Sequence, residues 1–89
     1  MDLKIKEFES HGFEFLRVEV DWNTFISQPV RQQISKHFQN KFPYSSIIFE
    51  SRDSDGIRQY QGDENICNAL RSKPEITLDP WRKYSLDFE

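Results

Sequence analysis

Alternation of apolar and polar side chains predicts a pair of β-strands at the start of the chain. Residues 3–9 carry spaced apolar side chains, and in the second segment, residues 13–21, apolar and charged side chains alternate strictly from position 16 onward. A Ser-His-Gly turn separates the two segments, so we predict that they form an antiparallel hairpin. Phe13 and Phe15 fall on the opposite phase, which predicts a bulge or a second covered face. The apolar positions on the main phase are Leu16, Val18 and Val20.

A change to a spacing of four residues predicts the main helix. Ser27 is a suitable N-cap, and Pro29 fits the first turn, where its missing N–H costs little. Pro43 disfavours the helical conformation for the residue before it, so the predicted helix spans residues 28–41. The apolar positions at this spacing are Val30, Ile34, Phe38 and Phe42.

A second hairpin is predicted next. Residues 44–52 centre on three consecutive apolar side chains, and residues 57–61 alternate. Between them lies an Asp-Ser-Asp-Gly turn, in which Gly56 can adopt a positive φ.

The last third of the chain predicts a short helix and a final strand. Asp63 is a suitable cap for a helix over residues 64–72, and Pro74 stops it. In the tail between 76 and 88, three apolar residues alternate with polar ones after a bend at Asp79-Pro80, which indicates a strand. These apolar residues are Tyr84, Leu86 and Phe88.

The predicted order is ββαββαβ, which belongs to the α+β class. We expect a small antiparallel sheet, formed by two hairpins and a C-terminal strand, with two helices packed on one of its faces. A chain of 89 residues fits one modest core, so we expect residues 1–89 to be a single α+β domain.

Charge is distributed unevenly. Residues 22–43 carry three basic side chains and no acid, although the whole chain contains 15 acidic residues and has a net charge of −3. Such a local reversal can mark a surface that meets an anionic partner, and it can also be a helix whose polar face is rich in glutamine.

Candidate catalytic and metal sites are weak. Asp53, Asp55 and Gly56 have part of the spacing of a calcium loop, but Ser51 and Gly62 occupy the first and twelfth positions, where that loop needs acidic ligands. A polar turn followed by a helix cap at Asp63 and Glu64 accounts for the same acids.

The remaining chemistry-bearing residues do not form a motif. Cys67 is the only cysteine, and neither His11 nor His37 has a second ligand at a metal spacing. No glycine-rich phosphate loop is present. We therefore predict a non-enzymatic protein with no metal and no cofactor.

Binding to another protein, or to a second copy of the chain, is the first functional hypothesis. Sheet edges can accept an added strand, and interface cores favour aromatic residues and arginine. No apolar run is long enough to span a bilayer, so we expect no membrane contact and a cytoplasmic location. The predicted partner-binding residues are Arg58, Tyr60, Trp81, Arg82, Lys83 and Tyr84.

Binding to RNA or DNA is the alternative. Aromatic residues interleaved with cations can stack on bases and neutralise phosphates, but a pI near 5.4 is well below that of a typical nucleic-acid binder. A continuous positive stripe from the main helix to the tail would favour this alternative, and positive spots broken by acids would favour protein contact. The predicted nucleic-acid-binding residues are Lys36, Lys41, Arg58, Tyr60 and Arg82.

Overall fold

A computed structural model describes residues 1–10, 13–72 and 81–86 of the chain. The predicted turn at His11 and Gly12 and the predicted bend at Asp79-Pro80 lie outside these residues. The strands are β1 (Asp2–Ser10), β2 (Phe13–Glu19), β3 (Ser46–Arg52), β4 (Arg58–Gln61) and β5 (Arg82–Ser85). The helices are α1 (Trp22–Phe25), α2 (Gln28–Lys41) and α3 (Glu64–Ser72).

The predicted α+β class and element order are confirmed, with one short helix in addition. Helices α2 and α3 have the predicted bounds. Ser27 is the N-cap of α2 as predicted, although its side chain makes no capping hydrogen bond. Helix α1 was not predicted, because four residues are too few for a helical period to be visible; its cap is Asp21, whose Oδ1 accepts from Thr24 N at 2.8 Å. No helix in the described ranges is long and apolar enough to cross a membrane.

The strands form one sheet in the order β4-β3-β2-β1-β5. Both hairpins are antiparallel, as predicted, and β5 pairs antiparallel with β1, whereas β2 and β3 run parallel. The parallel pair is possible because α1 and α2 form a crossover that returns the chain to the end of the sheet from which β2 began. Side-chain periodicity carries no information about strand direction, so the sequence could not predict this pair.

Helices cover both faces of the sheet, and the prediction that both predicted helices lie on one face is wrong. We call the two faces the α2 face and the α3 face. The core of the α2 face is formed by Leu3, Ile5, Leu16, Val18, Val20, Phe25, Ile34, Phe38, Phe49 and Leu86. The core of the α3 face is formed by Phe15, Ile48, Tyr60, Ile66, Cys67 and Leu70. The side chains of Phe15 and Ile48 point to the face opposite the α2-face core, so they need a second helix, α3, to cover them.

The α3 face also holds a buried ion pair. Arg17 on β2 and Glu50 on β3 are 3% and 0% exposed, and their side chains approach to 3.0 Å. Arg58 on β4 reaches the same carboxylate at 3.3 Å and Glu19 at 3.6 Å. Three strands are therefore linked by charge on this face.

Candidate functional site

The predicted aromatic and cationic tail is divided between the two faces of the sheet. Trp81 lies on the α3 face, where its ring centroid is 4.9 Å from Lys6 Nζ and 5.0 Å from Arg17 Cζ. Tyr84, three residues later, lies on the α2 face, as strand alternation requires. The two aromatic residues therefore do not form one continuous surface.

Tyr84 is half-buried beneath the C-terminal half of α2. Its hydroxyl lies 3.0 Å from His37 Nε2, and its ring centroid lies 5.1 Å from that of Phe38. Lys41 Nζ lies 4.9 Å from the centre of the same ring. The structure thus brings Lys41 and Tyr84 together, while Lys36 is exposed elsewhere on α2.

Arg82 is exposed on β5 and forms an ion pair with Glu7 at 2.7 Å. Because its register partner is Ile5, its side chain belongs to the α2 face. The positive charge of Arg82 is therefore already balanced by an acid.

Arg58 and Tyr60 lie on β4, at the opposite edge of the sheet from the tail. Four strand spacings separate β4 from β5, roughly 19 Å. Tyr60 is only 8% exposed, and burial followed by the charge of Glu50 raises the pKa of its hydroxyl. Arg58 pairs with Glu19 and Glu50. These two residues do not share a surface with the tail.

Lys83, one of the predicted partner-binding residues, belongs to a cationic cluster on the α3 face of β1 and β5 whose other members sequence reasoning missed. Lys4 and Lys83 are directly opposite each other in the β1–β5 register, and both are exposed. Lys6, one pleat further along β1, is half-buried. In the part of the chain that the structure describes, no carboxylate pairs with these three ammonium groups within 4.0 Å. We call Lys4, Lys6 and Lys83 the lysine cluster.

Part of the lysine cluster could have been found in the sequence. Leu3 and Ile5 face the α2-face core, so a period of two places Lys4 and Lys6 together on the other face. Lys83 could not be added, because only the pairing of β5 with β1 brings it within reach.

An open groove of about 500 Å³ runs beside the lysine cluster. It lies where the β1–β2 ladder ends at the Lys4–Glu19 pair. Asp2 accepts a hydrogen bond from Ser85 Oγ at 2.9 Å on its wall. The groove is lined by Asp2, Leu3, Lys4, Glu19, Val20, Asp21, Lys83, Tyr84 and Ser85.

The acidic residues in and just after the second hairpin stabilise the local backbone. Asp53 Oδ1 accepts from the N–H groups of Asp55 and Ile57 at 2.9 and 3.0 Å, and hydrogen bonds led by that from Ile57 lower the pKa of its carboxyl. Asp63 Oδ1 accepts from Ile66 N at 3.1 Å and caps α3. Among the described residues, no group of three or more His, Cys, Asp or Glu side chains is placed to hold a metal ion.

Cys67 is buried in the α3-face core, and burial raises the pKa of its thiol. A thiol that resists ionisation is a poor nucleophile, so this residue is suited to packing.

Comparison of the chain with protein-family models, with curated proteins and with solved structures gives no match.

Proposed function

We propose that the protein is a non-enzymatic interaction domain that binds an acidic segment of another protein through the lysine cluster. The observation that supports this most directly is the Lys4–Lys83 pair. Like charges directly opposite each other on a sheet destabilise it, and these two ammonium groups remain exposed on a chain with a net charge of −3. A carboxylate between them would relieve that repulsion.

The distribution of the other cations favours a protein partner over a nucleic acid. Arg82 is paired with Glu7, and Arg58 is paired with Glu19 and Glu50 at the far edge of the sheet. Lys36 and Lys41 belong to α2, which covers the opposite face from the lysine cluster. The positive groups are therefore separate spots broken by acids, whereas a phosphate backbone requires a continuous positive track.

The immediate surroundings of the lysine cluster limit the size of the anionic group that it can accept. Glu19 lies opposite Lys4 on β2, and Asp2 lies one pleat away on β1. A chain of phosphates that extended beyond the lysines would meet these carboxylates. A single peptide carboxylate could lie between Lys4 and Lys83 without approaching these acids.

Fluorescence anisotropy with three labelled probes tests the proposal. The probes are a peptide of about eight residues in which Glu alternates with Thr, a single-stranded RNA and a DNA duplex, each at low and moderate salt. We expect the acidic peptide to bind and the two nucleic acids not to. Tight, salt-sensitive binding of the RNA or DNA would overturn the proposal in favour of nucleic-acid binding.

Matched variants locate the contact. We expect the double substitution Lys4→Ser and Lys83→Ser to weaken binding of the acidic peptide by about tenfold or more. Lys36→Ser together with Arg71→Ser removes the same charge from exposed positions on α2 and α3 and serves as the control, with affinity within about twofold of the wild type. An equal loss in both double variants would show that net charge alone governs binding and would contradict the proposed site.

A further inference from the structure

The edge strand β5 exposes a row of backbone groups beside the lysine cluster. In the described ranges, β5 pairs with β1 on one side and no strand lies on its other side. Its residues Arg82, Lys83 and Ser85 are exposed. Unpaired N–H and C=O groups at a sheet edge are a template for an added strand.

The hydrogen-bond pattern shows which residues of β5 face outward. Met1 N donates to Leu86 O at 2.7 Å and Leu86 N donates to Met1 O at 2.8 Å, so these residues form a hydrogen-bonded pair. Hydrogen-bonded and non-hydrogen-bonded pairs alternate along an antiparallel ladder, so Tyr84 and Arg82 also direct their backbone groups towards β1. The N–H and C=O groups of Lys83 and Ser85 therefore point away from the sheet.

The same pattern brings Lys4 and Lys83 especially close. They form a non-hydrogen-bonded pair, in which the Cα atoms are about 4.5 Å apart and the side chains are nearest. A residue of an added strand that pairs with Lys83 would place its side chain on the same face, in line with both lysines. Lys83 therefore combines outward-pointing backbone groups with an ammonium group that pairs with no carboxylate among the described residues.

We infer that an acidic, extended segment of the partner protein adds to the sheet antiparallel to β5, with an acidic side chain opposite Lys83. This inference rests on the proposed function and specifies how that acidic segment binds. The Glu opposite Lys83 supplies both its own N–H and C=O to the backbone of Lys83 and its carboxylate to Lys83 and Lys4. Acids at alternate positions of the segment face the lysine cluster, and the intervening residues lie beside Tyr84 and Lys41 on the α2 face.

Charge argues against a second copy of this chain as the added strand. Antiparallel pairing of β5 with another β5 would bring Lys83 and Arg82 of one copy beside the same residues of the other. Exposed lysine on an edge strand is a common way in which proteins prevent such self-pairing. An added strand with acidic side chains would instead be attracted to Lys83 and Arg82.

N-methylation of the peptide separates strand addition from simple charge attraction. Two versions of the Glu and Thr peptide carry equal numbers of N-methyl groups, one version on its Glu residues and the other on its Thr residues. In the inferred geometry, the Glu N–H groups bond to β5 and the Thr N–H groups point away. We expect methylation on Glu to weaken binding by about tenfold or more, and methylation on Thr to weaken it by no more than about twofold.

Amide hydrogen exchange supplies an independent readout on the protein. Addition of the unmodified peptide at saturation should slow exchange at Lys83 and Ser85 by about tenfold or more, while Tyr84 is already protected by β1. If the unmodified peptide does not bind, the proposed function fails. If it binds but both methylated peptides bind equally well and Lys83 and Ser85 exchange as before, the proposed function stands and strand addition is overturned.

Discussion

Arg17 donates from its Nη2 to Glu50 Oε2 at 3.0 Å, joining the two parallel strands β2 and β3 across the α3 face. Both side chains are almost completely buried, so neither charge is stabilised by bulk water. Replacing one partner alone leaves a buried charge without its main counterion. We therefore expect Arg17→Met to lower the free energy of unfolding by about 3–5 kcal/mol.

A double-mutant cycle tests this coupling. Arg17→Met combined with Glu50→Leu removes both charges, and we expect it to be less destabilising than Arg17→Met alone, because apolar side chains suit the buried position. Glu19→Gln, at the half-exposed end of the same network, is the control and should cost less than about 1 kcal/mol. Urea denaturation of the wild type, both single variants, the double variant and the control measures the four differences in the free energy of unfolding. Additive single effects would contradict a direct coupling between Arg17 and Glu50.

Asp21 should make stability depend on pH in acid. Hydrogen bonds from the side chain and the backbone N–H of Thr24 lower the pKa of its carboxyl below the ordinary value of 3.8. Because the folded-state pKa is depressed, this contribution is complete above pH 3.8 and is lost as the pH falls through the folded-state value. We expect Asp21→Ala to cost about 1 kcal/mol near neutral pH and progressively less below pH 3.8.

Asp21→Asn is the matched control for this prediction. Asparagine can also accept the capping hydrogen bond from Thr24, so the variant should retain most of the stability near neutral pH. It has no carboxyl to titrate, so the acid-dependent part should be absent. Thermal unfolding across the acid range measures both variants, and a constant difference between wild type and Asp21→Ala at every pH would refute the assignment.

Local features of the fold could be predicted from the sequence because short-range patterns encode them. The spacing of four residues and the flanking prolines gave the bounds of α2, and Asp63 marked the start of α3. The parallel β2–β3 pair and the placement of α3 on the second face depend on contacts between distant segments, which periodicity does not contain. Phe15 was a sequence signal of the second face, because its phase opposes that of Leu16.

The candidate site was predicted less well than the fold, and for a related reason. The sequence prediction places Trp81 and Tyr84 in one binding surface because they are close in sequence. They lie on opposite faces of the sheet because an odd number of positions along the chain separates them. Arg58 and Arg82 were grouped by residue type, although the strand order places them at opposite edges of the sheet. The Lys4–Lys83 pair joins the two ends of the chain, so only the assembled sheet reveals it.

Gly62 is a position where the backbone excludes any side chain. Its φ is +147°, and a Cβ there would lie 2.7 Å from Ile48 Cδ1 and 2.8 Å from the backbone oxygen of Ile47. The backbone oxygen cannot move without disturbing β3. We expect Gly62→Ala to cost about 3 kcal/mol, measured by urea denaturation.

Gly56 provides the matched comparison for Gly62. It also has a positive φ, +78°, but a Cβ there would meet no atom within 4 Å. Gly56→Ala should therefore cost only the intrinsic strain of the left-handed conformation, about 1–2 kcal/mol. Equal losses in the two variants would show that strain alone accounts for both, and that the close approach to β3 has no energetic effect.

The alkylation rate of Cys67 shows whether α3 remains packed on the sheet. The thiol is 3% exposed, and burial raises its pKa, so both access and ionisation oppose alkylation in the folded protein. We expect iodoacetamide to modify native Cys67 more slowly than a free cysteine by on the order of a hundredfold, and at the free rate in denaturing urea. Tyr60, Ile66 and Leu70 belong to the same buried cluster as Cys67, so the native rate measures how often this part of the core opens.

The position of Cys67 also links this measurement to the proposed interaction. Helix α3 covers the β3 and β4 side of its face, whereas the lysine cluster occupies the β1 and β5 side. Binding of the acidic peptide at β5 should therefore leave the alkylation rate of Cys67 unchanged within about twofold. A rate that rises on peptide binding would mean that the peptide displaces α3 and binds where the helix packs, which would contradict a contact confined to the lysine cluster.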